Sequence, residues 1–404
     1  MSNKLAIEGG IPIRLTNKLA LAKPFIGEEE IEAVLNVLRS GILTNATGSG
    51  PKVAELEKKY ARYNGVKHAV ACCNGTAALH VALTALGIKP RDEVITTSFS
   101  FIASSNAVLF LGAIPVFADI DPLTYTINPD EIETKITKKT KAIIPVHLFG
   151  CPAEMDQIKE IANKHDLYII EDIAQAHGAR YKGKMVGNFG DIGCYSFYAT
   201  KNIHAGGEGG LIVTNNEEVA NRCKMMVAQG QSEKYEHDLF GFNYRMMEMS
   251  AAIALAQFNR LEYFNKKRKW NAKLLDEILQ SLRGINEPYK PEYADHVYHL
   301  YAAKIPEDSN WARDKVVAAL NAEGIGAANI YSIPIYNQPL YRKINDPKIC
   351  WAANICVYPD YSKIRLPITE KICQQLLLLP IHPSLTEKDI EDIGNALRKI
   401  FSST

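Results

Sequence analysis

The chain has 404 residues, more than one ordinary domain core accommodates, so its length predicts two or three domains. Its 46 basic and 45 acidic side chains leave a formal net charge of +1. The basic excess typical of nucleic-acid-binding proteins is missing, and nucleic acid is not an expected partner. Hydrophobic residues make up 47% and charged residues 23% of the chain, which is typical of a globular protein and not of a disordered one.

The N-terminal sequence, the apolar runs and the cysteines bear on the cellular location. The start, MSNKLAIEGG, lacks the basic and apolar regions of a signal peptide, and the longest apolar run, 108–118, is too short to span a bilayer. The eight cysteines are scattered, without a C-x-x-C pair or a nearby His-x-x-x-His, so neither a disulfide framework nor a zinc site is predicted. We therefore expect a cytoplasmic protein with reduced, mostly buried cysteines, no metal and no membrane contact.

Short strand-like runs alternate with helical stretches from about residue 66 to residue 215. VKHAVAC precedes TAALHVALTAL, DEVITTSF precedes IASSNAVLFLG, IPVFADI precedes PDEIETKI, and KAIIPVHLF and LYIIEDI flank AEMDQIKEIANKHD. This alternation predicts a mostly parallel sheet between layers of helices. CYSFY and GLIVTN are two further predicted strands, separated by ATKNIHAGGEGG, whose glycines permit a close approach to the backbone.

The C-terminal part of the chain predicts a second, smaller unit. Residues 250–283 are typical of one long helix, and YHLYAAKI and GIGAANI of strands. A helix is predicted over 310–323, and a closing helix, LTEKDIEDIGNALRKIF, begins with a capping signal at Thr386. We therefore predict an N-terminal arm over 1–24, a large domain over 25–256 and a small C-terminal domain over 257–404. Such arms either pack on a partner subunit or are disordered.

Two glycine-rich segments resemble nucleotide-binding motifs and depart from them. Residues 178–184 match the first seven positions of a P-loop, but the eighth is Met185, which has no hydroxyl for magnesium. The glycines of 206–210 precede a strand, whereas those of a Rossmann fingerprint follow one. H-E-x-x-H and G-x-S-x-G are absent from the sequence. A nucleoside triphosphatase, a nicotinamide oxidoreductase and the commonest zinc and serine hydrolases are therefore not expected.

Three groups of polar residues follow predicted strands, at the sheet edge where open α/β folds bind ligands. Asn74-Gly75-Thr76 opens an Ala-rich helix and predicts an anion site, although a capped helix explains the same residues. Asp172 ends LYIIED, where a carboxylate either needs a cationic partner or caps the next segment. Partial burial would lower the pKa of Lys201 and make it a nucleophile, whereas an isolated lysine is usually solvated. Together they are the parts of a pyridoxal phosphate site: a phosphate cradle, a carboxylate for the pyridinium and a lysine for a Schiff base.

Five ordered motifs carry a resemblance to a known family. N-G-T-A-A-L, S-F-x-F-I-A, E-D-x-A-Q-A-H-G-A, G-D-I-G-C-Y-S-F-Y-x-T-K-N and G-F-N-Y-R-M resemble the successive motifs of the DegT-type (DegT/StrS) sugar aminotransferases. These are pyridoxal phosphate (PLP) enzymes of fold type I, similar to aspartate aminotransferase. The resemblance runs from about residue 24 to the C-terminus. It implies a three-layer, mostly parallel α/β sheet with a smaller C-terminal α/β domain, and PLP as the cofactor.

The resemblance assigns roles to individual residues. It implies that Lys201 forms the Schiff base and later moves the proton between substrate and cofactor, and that Asp172 keeps the pyridine nitrogen protonated. Gln175 matches the position near the cofactor's 3-hydroxyl. Phe101 matches the aromatic residue that stacks on the ring, and both residues also have a core interpretation.

The same resemblance describes the phosphate site and the assembly. Gly75, Thr76 and Ser196 match the residues that bind the phosphate. Asn243 matches a position where the neighbouring subunit completes the phosphate cup. The resemblance therefore implies a homodimer with shared active sites.

Other matched positions carry less weight or depart from the family pattern. His147 and His177 fall in matched motifs near strand ends, and a structural histidine explains them equally well. Ala199 stands where the family often has Pro, Met247 where a small polar residue is common, and Tyr336 where many members have His. We expect the last two departures to affect substrate choice.

The function implied is transfer of an amino group from glutamate or glutamine to a keto-sugar, with a nucleotide-linked sugar as the first choice. AIEGGIPIR and GGEGG also resemble the branch that acts on keto-cyclitols or aminohydroxybenzoate precursors. A dehydratase on the same scaffold has His in place of the Schiff-base lysine, so Lys201 argues against that alternative. A PLP-binding regulator without turnover is the other alternative, and the intact Lys201, Asp172 and Ser196 set argues against it.

Overall fold

The computed structural model of the chain describes residues 4–46 and 50–402. Three small sheets and one large sheet contain the strands of these residues. The strands are β1 His68–Cys72, β2 Glu93–Thr97, β3 Ile114–Ala118, β4 Thr140–Ile144, β5 Tyr168–Asp172, β6 Arg180–Tyr181, β7 Lys184–Met185, β8 Ile192–Ser196, β9 Gly210–Thr214, β10 Gln231–Glu233, β11 Glu236–His237, β12 Ala294–Asp295, β13 Tyr301–Lys304, β14 Ala328–Asn329 and β15 Leu376–Leu379. The α-helices are α1 Glu28–Ser40, α2 Pro51–Asn64, α3 Gly75–Ala85, α4 Ala103–Leu109, α5 Pro129–Lys135, α6 Met155–His165, α7 Glu217–Val227, α8 Glu248–Phe258, α9 Leu261–Gln280, α10 Arg313–Ala322, α11 Pro339–Arg342, α12 Pro367–Gln375 and α13 Glu387–Phe401.

The large sheet has seven strands in the order β1-β9-β8-β5-β4-β2-β3. The five strands from β8 to β3 pair in parallel, and β9 runs antiparallel to both of its neighbours, β1 and β8. The register places Asp172 beside Cys194, and Ser196 and Cys72 beside Gly210. The predicted mostly parallel sheet is therefore confirmed, and its register aligns the carboxyl ends of β1, β5 and β8 along one edge.

Helices cover both faces of this sheet because successive strand residues point to opposite sides. Val70 and Ile212 pack in one hydrophobic cluster with residues of α3 and α7. Their neighbours Ala71 and Val213 pack in another cluster with residues of α2 and α8. The strands are buried on both faces, which explains their continuous apolar runs and produces the predicted three layers.

The prediction of one long helix over 250–283 is wrong in its continuity, because the structure has two helices there, α8 and α9. The backbone leaves the helical conformation at Arg260, where φ is −108° and ψ is 1°. The Arg260 guanidinium forms an ion pair with Glu30 of α1 and lies 4.8 Å from the centre of the Phe25 ring. These tertiary contacts coincide with the break, and the helical periodicity of the sequence does not reveal them.

A smaller antiparallel sheet, β13-β15-β14, lies in the C-terminal part of the chain. Leu5 and Leu19 of the N-terminal segment are buried in the same cluster as residues of α9, α10 and α13. Arg14 forms ion pairs with Asp389 and Asp392. The N-terminal segment thus packs on the C-terminal part of its own chain, while the limits of the three predicted domains stay a prediction.

The α13 capping signal predicted at Thr386 is present. The Thr386 side chain accepts the backbone N–H of Asp389, and the Asp389 carboxylate accepts the backbone N–H of Thr386. None of the helices in residues 4–46 and 50–402 combines the length and the apolar character needed to cross a membrane.

Candidate active site

A cavity of about 760 Å³ opens at the carboxyl edge of the large sheet. Its wall includes seven of the eight predicted site residues: Gly75, Thr76, Phe101, Asp172, Gln175, Ser196 and Lys201. The eighth, Asn243, is exposed and does not line this cavity. The fold therefore brings together residues that follow four different strands of one sheet.

The phosphate cradle predicted at α3 has the geometry of an anion site. The Asn74 side chain accepts the backbone N–H of Ala77 at 2.8 Å, which leaves the preceding N–H groups of Gly75 and Thr76 available at the helix N-terminus. Ser196 Oγ accepts the backbone N–H of Tyr198 at 3.3 Å, so its own O–H is free to donate. A Cβ atom added to Gly75 would lie 2.7 Å from the Ser196 Cβ. Only glycine permits this close approach, and the cradle fits a phosphate group.

We expect Gly75→Ala to weaken cofactor binding by about 10- to 100-fold, because the new methyl group displaces Ser196 from the helix N-terminus and hydrogen bonds to a charged group are lost. A titration of the cofactor-free protein with PLP, followed by absorbance, measures the effect. Gly27→Ala serves as the control, because Gly27 lies outside the cavity, has an extended backbone (φ −128°) that alanine also adopts, and leaves ordinary contact distances of 3.4 Å or more for the new methyl group. Equal affinities in the two variants would contradict the cradle.

Asp172 presents a buried carboxylate at the end of β5. The residue is 5% exposed, and no ion pair joins it to the described part of the chain. Its Oδ2 accepts the Ser104 hydroxyl at 2.7 Å and its Oδ1 accepts the backbone N–H of Ala174 at 3.1 Å. A buried negative charge that has two neutral donors can still take a cationic partner, such as a protonated ring nitrogen.

Lys201 lies in the same cavity with an unusual proton affinity. Burial lowers the pKa of Lys201 to about 8, although the negative charges of Asp172 and Glu208 act in the opposite direction. The Lys201 backbone N–H donates to the Tyr198 carbonyl at 2.9 Å, and this hydrogen bond fixes the turn on which Lys201 lies. With this pKa, the Lys201 amine is unprotonated in about a tenth of the molecules at pH 7, so it can act as a nucleophile near neutrality.

Gln175 and Phe101 also line the cavity, where they can contact a flat aromatic ligand. Gln175 Oε1 accepts the backbone N–H of Phe149 at 2.9 Å, and its Nε2 donates to the Tyr331 hydroxyl at 3.0 Å. One Nε2 proton remains for a ligand oxygen. Phe101 is 63% exposed despite its size, and its ring lines the cavity. Such a ring is available for stacking.

His147 and His177 are fully buried, and neither lines the cavity. His147 accepts the backbone N–H of Ala153 on Nδ1, so its Nε2–H donates to Glu171 at 3.0 Å. His177 donates from Nε2 to the Ser196 carbonyl at 2.7 Å and contacts Tyr60 through Nδ1 at 2.6 Å. Burial lowers the pKa of His177 to about 4, so the ring is neutral. Through these hydrogen bonds, both histidines hold the ends of strands β5 and β8 without reaching the cavity.

The two departures expected to affect substrate choice also lie outside the cavity of their own chain. Tyr336 is completely buried, and its hydroxyl donates to Glu370 at 2.5 Å. Met247 is 54% exposed and precedes α8. The structure gives Tyr336 a packing role, and only Met247 is accessible to a ligand or to another chain.

Further polar residues line the cavity and were not assigned to the site from the sequence: Ser100, Ser104, Tyr198, Thr200, Glu208, Tyr244, His299 and Tyr331. Ser104 directly follows the motif S-F-x-F-I-A and could have been found by extending that motif by one residue. His299 and Tyr331 come from the C-terminal part of the chain, where no motif marks them. Only the tertiary structure brings them to the cavity.

Comparison with known proteins places this geometry in a family. Residues 24–398 match the model of the DegT/DnrJ/EryC1/StrS aminotransferase family. The chain belongs to this family. The match confirms the resemblance carried by the five motifs and identifies the protein as an enzyme, an aminotransferase.

Relatives and solved structures agree with this assignment. A protein of Acidithiobacillus ferrooxidans named UDP-N-acetyl-3-dehydro-alpha-D-glucosamine 3-aminotransferase is 40% identical over 344 residues, which are 85% of this chain and 87% of the relative. DesV of S. venezuelae, solved with a ketimine intermediate, is 36% identical with a TM-score of 0.83 over 92% of this chain and 94% of its own. NtdA of Bacillus subtilis, solved with its cofactor PMP, is 33% identical with a TM-score of 0.82 over 100% and 90% of the two chains. The enzyme therefore has the predicted PLP fold type I.

Proposed function

We propose that the enzyme transfers an amino group from glutamate or glutamine to the ketone of a nucleotide-linked sugar. The observation that carries this proposal is the single cavity that contains an anion cradle, the Asp172 carboxylate and the Lys201 amine. Family membership and the PMP bound in a homologous structure confirm the predicted cofactor, pyridoxal phosphate.

The residues of the cavity fit this cofactor. Gly75, Thr76 and Ser196 would hold its phosphate, and Phe101 would cover one face of its ring. The bound cofactor supplies an electron-withdrawing pyridinium ring, which stabilises negative charge at the substrate carbon. Asp172 would hold the protonated ring nitrogen, because its buried carboxylate needs a cationic partner.

Lys201 has two tasks in this assignment. Its amine would hold the cofactor covalently in the resting enzyme and, when free, would move a proton to and from the substrate carbon. A pKa of about 8 suits both directions of proton transfer near neutral pH. The net exchange is balanced: the donor becomes a keto acid, and the ketone becomes an amine.

The choice of acceptor rests on the relatives. The Acidithiobacillus ferrooxidans relative is named for a UDP-linked keto-sugar, and its similarity extends over 85% of this chain. A cavity of about 760 Å³ also has room for a substrate beside the cofactor. Keto-cyclitols and aminohydroxybenzoate precursors are the alternative acceptors, and a regulator without turnover is the alternative to an active enzyme.

Absorption spectroscopy of the purified protein tests the first half of the reaction. We expect a visible band from the bound cofactor that bleaches on addition of glutamate or glutamine, and a borohydride-reduced adduct that peptide mapping places on Lys201. Nitrogen-15 from the donor should then appear in the amino sugar formed from a nucleotide-linked keto-sugar. A visible band that neither amino donor bleaches would favour the PLP-binding regulator, and a protein that stays colourless when PLP is supplied would contradict the roles given to the cavity residues. If only a cyclitol becomes labelled, the acceptor is a keto-cyclitol and not a sugar.

The homodimer is also part of this proposal. Asn243 is exposed, lies outside the cavity of its own chain and matches a residue that reaches a neighbouring site. Sedimentation equilibrium is expected to give twice the chain mass of 44.9 kDa. A mass of one chain in the active enzyme would contradict shared sites.

A cytoplasmic location stays a prediction, which fractionation of the producing cell tests.

The rate of cofactor capture should depend on pH in a defined direction. Burial lowers the pKa of Lys201 to about 8, and only the unprotonated amine attacks the cofactor. The capture rate should rise about tenfold per pH unit below pH 8 and level off above it. Stopped-flow absorbance of cofactor-free enzyme mixed with PLP measures this rate. A profile that still rises through pH 10 would indicate a solvated lysine instead.

A further inference from the structure

Ser104 is the one side chain that donates a hydrogen bond to Asp172 within residues 4–46 and 50–402. Its Oγ lies 2.7 Å from Asp172 Oδ2, and the serine itself is 1% exposed. Ser104 belongs to α4, which follows β2, so a helix of the same sheet edge carries it to the end of β5. The hydroxyl and the carboxylate both line the cavity.

This hydrogen bond restricts the carboxylate. Ser104 occupies Oδ2, and the backbone N–H of Ala174 occupies Oδ1 at 3.1 Å. Two donors on different oxygens fix the rotation of the carboxyl group, and each oxygen keeps a further lone pair. The carboxyl group is therefore held in one orientation.

We infer that Ser104 is a positioning residue, which holds the Asp172 carboxylate toward the place where the ring nitrogen of the cofactor would lie. The inference rests on the proposed function, since it concerns the same cofactor site. Without the hydroxyl, the carboxylate can rotate away from that place. A ring nitrogen that lacks this partner would hold its proton less firmly.

The chain offers a matched control at the next position. Ser105 is also fully buried in α4, but its hydroxyl donates to the Ile102 carbonyl at 3.0 Å and not to Asp172. Ser104→Ala and Ser105→Ala therefore remove the same atom from the same helix. Ser104→Thr keeps the hydroxyl and reports whether that group alone matters.

The test uses the full-length enzyme loaded with nitrogen-15-labelled PLP. We expect Ser104→Ala to raise the dissociation constant of PLP about tenfold and to lower the pH at which the ring nitrogen deprotonates, seen by NMR, by about one unit. Ser105→Ala and Ser104→Thr should resemble the unmodified enzyme. A merely structural serine would change the melting temperature without moving the nitrogen signal.

Two outcomes would overturn the inference. If Ser104→Ala binds PLP and titrates like Ser105→Ala, Ser104 does not position the carboxylate. If the unmodified protein neither binds PLP nor yields a reduced adduct on Lys201, the proposed function fails and the inference fails with it. The two failures are distinguishable, because only the second affects the unmodified protein.

Discussion

Replacement of Lys201 by alanine is expected to stop turnover while part of the cofactor stays bound. We expect the rate to fall by about 10⁴-fold or more, the upper end for a proton-transfer residue, because one side chain supplies both the nucleophile and the proton carrier. The cradle at Gly75 and the Asp172 carboxylate remain in the variant, so non-covalent binding persists. Steady-state assays and an absorbance titration with PLP measure the two quantities.

The control for this variant is Lys182→Ala, which removes an exposed lysine that pairs with Asp156 at 2.6 Å on the surface. It should keep full activity. Small primary amines added to Lys201→Ala should restore part of the proton transfer, since the cavity left by the side chain opens to the substrate site. Retained turnover in the purified Lys201→Ala variant, without added amine, would refute the assignment of the Schiff-base lysine.

Most of the large sheet and the central residues of the site could be predicted from the sequence, because these residues lie at or directly after the ends of strands. Asp172 and Ser196 are the last residues of β5 and β8, and Gly75 opens the helix after β1. In a parallel sheet the carboxyl ends of strands meet at one edge, so the order of elements along the chain already brings these residues together. The parts played by the helix at Gly75, by Asp172 and by Lys201 were predicted from these positions, whereas the roles of Ser196, Gln175 and Phe101 came from the family motifs.

The remaining site residues depend on contacts between distant parts of the chain. Tyr331 reaches Gln175 across 156 positions, and no periodicity predicts that pair. The break between α8 and α9 has the same origin, because Arg260 meets Glu30 of α1. For His147 and His177 the sequence left a site role and a structural role equally open, and the structure buries both side chains away from the cavity. The position of a residue in the sequence could not show whether its side chain faces the cavity or the interior of the protein.

Asp172→Asn is expected to have the second largest effect, a loss of about 10²- to 10³-fold in the rate, because preorganised charge is removed at the ring nitrogen. The substitution preserves the shape of the side chain, and the amide oxygen can still accept one of the two hydrogen bonds from Ser104 and Ala174. The fold should therefore persist, with a melting temperature close to that of the unmodified enzyme. The dissociation constant of PLP and the nitrogen-15 signal should both change.

The other end of β5 supplies the control. Asp191 accepts the backbone N–H of Ile169 at 2.8 Å, away from the cavity, and an asparagine there can keep this bond. Asp191→Asn should therefore leave the rate and the nitrogen-15 signal unchanged. A PLP analogue methylated on the ring nitrogen carries a permanent positive charge and should recover part of the activity of Asp172→Asn. Failure of the analogue to do so, together with an unchanged nitrogen-15 signal, would mean that Asp172 shapes the cavity and does not hold the charge of the ring.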